Sequence, residues 1–220
     1  MDLQSRPDAY RKIAGIYDPI IGRVNAGLRG IAVRMHPPRE GMKVLDVGCG
    51  TGMQLVAYQA AGCHVAGIDA SPSMLGVAGR RLGEAARLDL GDAADMPYSD
   101  GSFDLVLATT VLHEMGPGAR RAVLGEMLRV LEPEGRILLV DFEPGPLRFP
   151  RGWVARAFIE VAEAAAGTEH HRNSRAFLRR GGLPAALEGL TCSVERRKIV
   201  AGGTIGLYLV ASTATSPGAP

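Results

Sequence analysis

The stretch from Lys43 to Gly52, KVLDVGCGTG, limits what this chain can become more than any other. Lys43 to Val47 is a short apolar run rich in β-branched residues, the pattern of a strand buried on both faces of a parallel sheet. Glycines follow at Gly48, Gly50 and Gly52. Such an array lets the backbone turn sharply and lets a ligand lie where a Cβ would obstruct it. Met53 to Ala61 continues without proline or glycine and is expected to form a helix whose N-terminus points at the contents of the loop. Strand, glycine loop and helix make the first unit of a nucleotide-binding, doubly wound α/β fold.

The residues around the glycines narrow the ligand. A dinucleotide loop of the G-x-G-x-x-G/A type needs a third small residue for close helix packing under a pyrophosphate. Counted from Gly48 that position is Met53, and counted from Gly50 it is Leu55. Both are too large. Asp46 adds a carboxylate at the end of the strand, which repels a pyrophosphate and suits a cation. A ligand with a positive amino group and no phosphate, such as S-adenosylmethionine, meets both conditions. His64 to Asp69 is the second buried-strand candidate, and Asp69, seventeen residues after Gly52, is placed to accept from the two ribose hydroxyls. A third strand over 86–90 leads into Gly91-Asp92-Ala93, where Asp92 can accept from an adenine amine.

With these blocks in place the chain resembles the class I S-adenosylmethionine-dependent methyltransferases. It is most similar to the subgroup holding the ubiquinone/menaquinone C-methyltransferases and the small-molecule and phospholipid methyltransferases. The matching stretches are VLDVGCGTG (44–52), GIDAS (67–71), GDAADMPYSDGSFDLV (91–106), LHEM from Leu112, and LRVLEPEGRILLVDF ending at Phe142. The resemblance implies a Rossmann-like seven-stranded sheet of order 3-2-1-4-5-7-6, its last strand antiparallel, with helices on both faces and an N-terminal helical lid. It also implies a donor site drawn from Asp46, Gly48, Cys49, Gly50, Gly52, Asp69, Ala70, Met74, Asp92, Ala93 and Thr109, with S-adenosylhomocysteine as the spent product. Tyr17, at the family's Tyr-Asp position, joins that set; packing as a lid anchor, together with Tyr10, is the other reading. Met74 is read either as a cover for the adenine or as core.

Composition excludes several classes. A length of 220 residues fits a single methyltransferase domain over 1–212, with a lid over 1–40, a helical acceptor-pocket insertion over 144–182 and a flexible tail over 213–220. A net charge of +2 gives no reason to invoke nucleic acid. Cys49, Cys63 and Cys192 cannot all pair, and no metal-type cysteine spacing occurs, which points to a reduced, cytoplasmic protein. No apolar stretch is long enough to span a bilayer, which leaves peripheral membrane contact open. A monomer or homodimer is expected. Arsenite methylation is disfavoured, because Cys49 belongs to the donor loop and Cys63 precedes the second strand.

The remaining elements carry the acceptor chemistry. Val24, Leu28, Ile31 and Met35 recur at helical spacing before Pro37-Pro38. Phe103 to Ala108 is the fourth strand, and the titratable pair His113 and Glu114 follows it, where a doubly wound sheet places its chemistry. His113 is a candidate base, since imidazole can take a proton at neutral pH; satisfying backbone groups is the plainer role. Ala119 to Leu131 is an amphipathic helix, Glu132-Pro-Glu-Gly135 ends it, and Arg136 to Phe142 is the fifth strand. Glu143 is read as a solvated carboxylate rather than a substrate contact. Trp153 to Ala166 and a short piece over 174–178 are helical. His170 is a further catalytic candidate. His171 beside it faces elsewhere on a helix, so the two are not joint metal ligands, and no metal is expected. Strands over 191–200 and 204–212 close the chain as a hairpin.

Three functions are consistent with this reading. The leading one is methyl transfer to a small, partly apolar acceptor such as a quinone-like ring, a lipid-linked amine or a natural-product hydroxyl. The others are a donor-binding protein without transferase activity and a nicotinamide-dependent oxidoreductase.

Overall fold

The computed structural model describes residues 8, 10, 11, 14 and 23–214. Tyr17 and most of the expected lid before Arg23 lie outside the described residues. The first described helix, α1, is Arg23–Met35, and the strand β1 is Lys43–Val47. Then come α2 (Leu55–Ala60), β2 (His64–Asp69), α3 (Pro72–Leu82), β3 (Arg87–Leu90), β4 (Phe103–Thr109), α4 (Pro117–Val130) and β5 (Leu131–Phe142). Helices α5 (Arg151–Ala166), α6 (Thr168–Arg179) and α7 (Gly182–Leu187) precede β6 (Cys192–Val200) and β7 (Ile205–Ser212).

The strands form one seven-stranded sheet in the order β3-β2-β1-β4-β5-β7-β6. The first five are mutually parallel, and β7 runs antiparallel to both β5 and β6. Position in the sheet follows composition. Val44, Leu45 and Val47 of β1, Leu105 to Ala108 of β4, Ile137 to Val140 of β5 and Leu207 to Val210 of β7 are buried. Helices on both faces leave no polar side, so these strands read as continuous apolar runs. Each fully buried valine or leucine contributes roughly 1.5–3 kcal/mol. The edge strand β6 instead exposes Glu195, Arg196, Arg197 and Lys198, charges that oppose pairing with another sheet.

Several boundaries differ from the sequence reading. Strand β5 starts at Leu131, not Arg136, because Leu131 pairs with Phe103 across an irregularity in the β4 ladder. Pro133 and Gly135 are tolerated in that stretch, as such irregular positions allow. Helix α2 begins at Leu55 because the residues after Gly52 first make a turn, with Leu55 N–H donating to the Gly52 carbonyl at 3.1 Å. The short helix over 174–178 is the end of a longer one, α6, which includes His170 and His171. Its first half, residues 168–173, is wholly polar, so no apolar residue marks where it starts. Glu143 is not solvated but almost fully buried, receiving hydrogen bonds from Arg197 and from the Tyr208 hydroxyl at 3.0 Å. Among the described residues no helix is long and apolar enough to cross a membrane.

Candidate active site

Strands β1 and β4 are neighbours, yet the chain leaves β1 toward β2 and β4 toward β5. The cleft at their carboxyl ends is therefore the sheet's switch point, where such folds bind ligands. Gly48 and Cys49 N–H groups both donate to the Ile68 carbonyl, at 2.9 and 3.1 Å, fixing the loop against β2. Gly48, Gly50 and Gly52 have φ of +67°, +52° and +73°, which side chains on L-residues rarely adopt. Their roles differ. A Cβ on Gly48 would meet Val111 at 2.5 Å and one on Gly52 would meet Leu82 at 2.8 Å, whereas one on Gly50 would meet nothing within 4 Å. The outer two serve packing; the middle one presents open backbone. Cys49 is tucked against Gly67, and burial pushes its thiol pKa up, which favours the neutral thiol.

The carboxylates of this half are arranged around the loop. Asp46 is 2% exposed and its Oδ1 has no partner among the described residues. Burial, with the charge of Asp69 added, pushes its pKa up to about 8. Both amide atoms of Gln54, just after the loop, are likewise buried without a partner. Asp69 accepts from the N–H groups of Gly50 and Ser71, each at 2.8 Å. Ser71 then caps α3 by accepting from Met74 N–H at 3.1 Å. Met74 is buried in the first turn of α3 and Ala70 is exposed beside it. Asp92 is exposed after β3 and accepts from Ala94 N–H at 2.9 Å, with Ala93 and Thr109 half-buried. Tyr17 aside, every expected donor-site residue lies at or just past the carboxyl ends of β1 to β4.

The second half of the site grows from the turn after β4. Thr110 takes φ +51° and donates to the Val140 carbonyl at 2.6 Å, directing the chain into a single 3-10 turn, Leu112–Glu114. Asp141, 1% exposed at the end of β5, organises that turn. Its Oδ2 accepts from Leu112 and His113 N–H at 2.9 and 3.2 Å, and its Oδ1 lies 2.6 Å from His113 Nδ1. Arg120 locks the turn from below by donating to the Leu112 and Met115 carbonyls at 2.8 and 2.6 Å, its guanidinium stacked over Phe177.

His113 is buried, stacks on Phe142 at 4.0 Å and places Nε2 3.5 Å from Glu163. Burial works to lower its pKa, but Asp141, then Glu163 and Glu114, outweigh it and carry the value up to about 10. His170 comes from α6, with Nε2 2.9 Å from Glu114 Oε1; that hydrogen bond raises its pKa against burial. His171 turns instead to Glu160, 4.0 Å away. The Tyr10 hydroxyl donates to Glu114 at 3.1 Å. Beside this cluster opens a cavity of about 840 Å3, lined by Leu28 and Ile31 of α1, Val154, Phe158 and Ile159 of α5, and Thr110, His113, Glu114 and Glu163, among others.

Comparison with known proteins identifies the family. Residues 45–139 match the methyltransferase domain family. The demethylmenaquinone methyltransferase of Clavibacter sepedonicus is 30% identical over 221 aligned positions, covering 91% of this chain and 89% of that protein. The chain belongs to the class I S-adenosylmethionine-dependent methyltransferases. An uncharacterised methyltransferase of Synechocystis is 40% identical over 114 residues, but the shared region is 52% of this chain and only 51% of that protein. The crystal structure of a SAM-dependent methyltransferase from Aquifex aeolicus superposes with a TM-score of 0.55 at 19% identity, covering 83% of this chain and 88% of that one, a likeness of fold.

The donor of this methyltransferase is S-adenosylmethionine, and the residues present fit it. A buried carboxylate and a buried amide without partners are costly to leave so. A ligand carrying both an ammonium and a carboxylate can satisfy Asp46 and Gln54 together, over backbone that Gly50 keeps bare. Sequence reasoning singled out Asp46 and Asp69 from their places relative to the glycines. It missed Gln54, Arg120, Asp141 and Glu163. A lone acid inside the apolar run ILLVDF was a legible signal for Asp141; nothing local marked the other three.

Proposed function

We propose that this methyltransferase transfers a methyl group to a small, partly apolar acceptor seated in the cavity between α1, α5 and the β6–β7 turn. A quinone-like ring is the leading acceptor, with a lipid-linked amine or natural-product hydroxyl as further members of the class. The observation that carries this reading is the lining itself, aliphatic and aromatic over most of its wall, with His113, Glu114 and Glu163 grouped together. The menaquinone-pathway name of the Clavibacter relative supports the same class.

When bound, S-adenosylmethionine supplies a methyl carbon already electrophilic by virtue of its sulfonium. The protein's part is then alignment and exclusion of water. Asp46, Gln54 and the Gly48–Gly52 loop hold the amino-acid end of the donor and Asp69 its ribose, with Asp92 and Ala93 toward the adenine and Thr109 at the β4 end. The walls of α1 and α5 orient the acceptor and dry its surroundings. His113 and His170 are the proposed catalytic side chains: their carboxylate partners hold both toward the protonated form, so they balance charge and donate hydrogen bonds beside the acceptor, and Glu163, whose Oε2 is unpartnered among the described residues, takes the proton that leaves it. Helix α5 also exposes Trp153 and Val161, neither of which lines the cavity, a surface that suits uptake of a lipid-soluble acceptor from a membrane face.

The test is an acceptor panel read by mass spectrometry for the gain of one methyl group. Apolar rings should be methylated and small polar amines should not. Ala155→Trp, which fills the cavity from α5, should abolish turnover while donor affinity stays within about two-fold. Full turnover in that variant would place the acceptor elsewhere.

A further inference from the structure

His113, Glu114 and His170 converge so that one ligand-type atom from each lies within 4.8 Å of the other two. They arrive from separate elements, the 3-10 turn after β4 and helix α6, so no spacing in the sequence announced them. The two rings are 6.3 Å apart, centre to centre, and nearly perpendicular at 75°. His113 is already held as metal-bound imidazoles are held: one nitrogen, Nδ1, is 2.6 Å from the buried carboxylate of Asp141, and the other faces the cluster.

A fourth group completes the set. Glu163 reaches in from α5, is nine-tenths buried, and its Oε2 has no hydrogen-bond partner among the described residues. A buried carboxylate oxygen left so has a strong demand for a donor or a cation. Its Oε1 lies 3.5 Å from His113 Nε2, and Glu114 Oε1 lies 2.9 Å from His170 Nε2. Four ligands on a tetrahedral ion at bond lengths of about 2.0–2.1 Å stand about 3.4 Å from one another. The two observed separations bracket that value. Closing the remaining separations, up to 4.8 Å within the His113, Glu114 and His170 group, converts hydrogen-bonded pairs into a coordination shell.

We infer that His113 Nε2, His170 Nε2, Glu114 and Glu163 form a binding site for a divalent transition-metal ion of the zinc class beside the acceptor cavity. Asp141 acts as the outer carboxylate that orients His113. Two imidazoles with carboxylates select zinc, cobalt or nickel over magnesium and calcium, which prefer all-oxygen shells. Three carboxylates, Asp141, Glu114 and Glu163, around two imidazoles supply the negative charge that a dication needs. The Tyr10 hydroxyl, 3.1 Å from Glu114 Oε1, stands as a further outer contact. Since His113, Glu114 and Glu163 also line the cavity, an ion there would face it directly. Metal binding displaces the proton from each Nε2 and takes over the positive charge that the imidazolium rings carry in the metal-free chain, so the site stands whichever acceptor the cavity takes.

The test uses the full chain after chelator treatment, titrated with Zn2+ by calorimetry and with Co2+ by visible absorption. One equivalent should bind with a dissociation constant of about 10 μM or tighter, and Co2+ should develop the d–d bands of a four- or five-coordinate site. His170→Ala and Glu114→Gln should each weaken binding at least ten-fold and change the Co2+ spectrum. His171→Ala, beside the cluster, and Cys192→Ser, at the opposite end of the sheet, should change neither. Circular dichroism identifies any variant that fails to fold, and the other of the pair then decides. No saturable binding at about 100 μM metal would overturn the inference. So would binding that survives in both cluster variants, or that is lost in Cys192→Ser. Donor binding, measured in parallel, does not depend on the ion, so a failed metal titration leaves the methyltransferase assignment intact.

Discussion

Asp46 carries opposite demands in the free and donor-bound protein. With its pKa pushed up to about 8, chiefly by burial, the folded chain holds a proton there that the unfolded chain releases near the ordinary carboxylate value of 3.8. Folding therefore takes up a proton between those limits, and Asp46 subtracts from stability increasingly as pH rises from about 4 to about 8. Each pH unit in that window is worth about 1.4 kcal/mol at most. Asp46→Asn should gain thermal stability relative to the parent at about pH 8 compared with about pH 5, by differential scanning fluorimetry, while losing donor affinity. An ammonium placed beside Asp46 favours its ionised form. Donor binding near pH 7 should therefore release a proton, seen as a calorimetric enthalpy that depends on the buffer's ionisation heat. The absence of any buffer dependence would show that the ammonium does not reach this carboxylate.

Among the elements, the glycine loop and the 3-10 turn after β4 set the two halves of the site, and they were unequally legible. The loop announces itself because its glycines are needed locally, two for packing against Val111 and Leu82 and one for bare backbone. Gly50→Ala should cost about 1–2 kcal/mol for its left-handed backbone, yet remove donor binding. Gly52→Ala adds a clash with Leu82 and should unfold at a lower denaturant midpoint than Gly50→Ala. Similar midpoints would mean that the packing distinction is wrong. The turn is different, because its geometry is imposed by Asp141 from β5 and Arg120 from α4. Arg120→Met leaves the Leu112 carbonyl buried without its donor and should lower stability by about 2–4 kcal/mol in urea unfolding. Arg121→Ala, whose parent side chain reaches only exposed carbonyls of Glu188 and Gly189, should stay within about 0.5 kcal/mol. Equal losses would show that Arg120 does not hold the turn.

At the scale of the whole molecule, the central strands and the glycine loop were readable as local patterns, and the sheet order followed from the family resemblance. The early start of β5, the full length of polar α6 and the burial of Glu143 were not readable. Each depends on partners far along the chain: Phe103 for β5, the Leu112–Glu114 turn for α6, and Arg197 with Tyr208 for Glu143. The acceptor side is likewise a product of assembly, with walls from α1, α5 and the β6–β7 turn meeting only in the folded chain. The central claim is that the cleft over β1 and β2 binds the methyl donor, and titration of S-adenosylhomocysteine into the parent and into Asp69→Ala tests it most directly. One site should fill in the parent, with affinity lower by about 100-fold in the variant, the equivalent of two charge-assisted hydrogen bonds, and NADH should give no heat. Unchanged affinity in Asp69→Ala, or saturable binding of NADH in place of the nucleoside, would contradict the account.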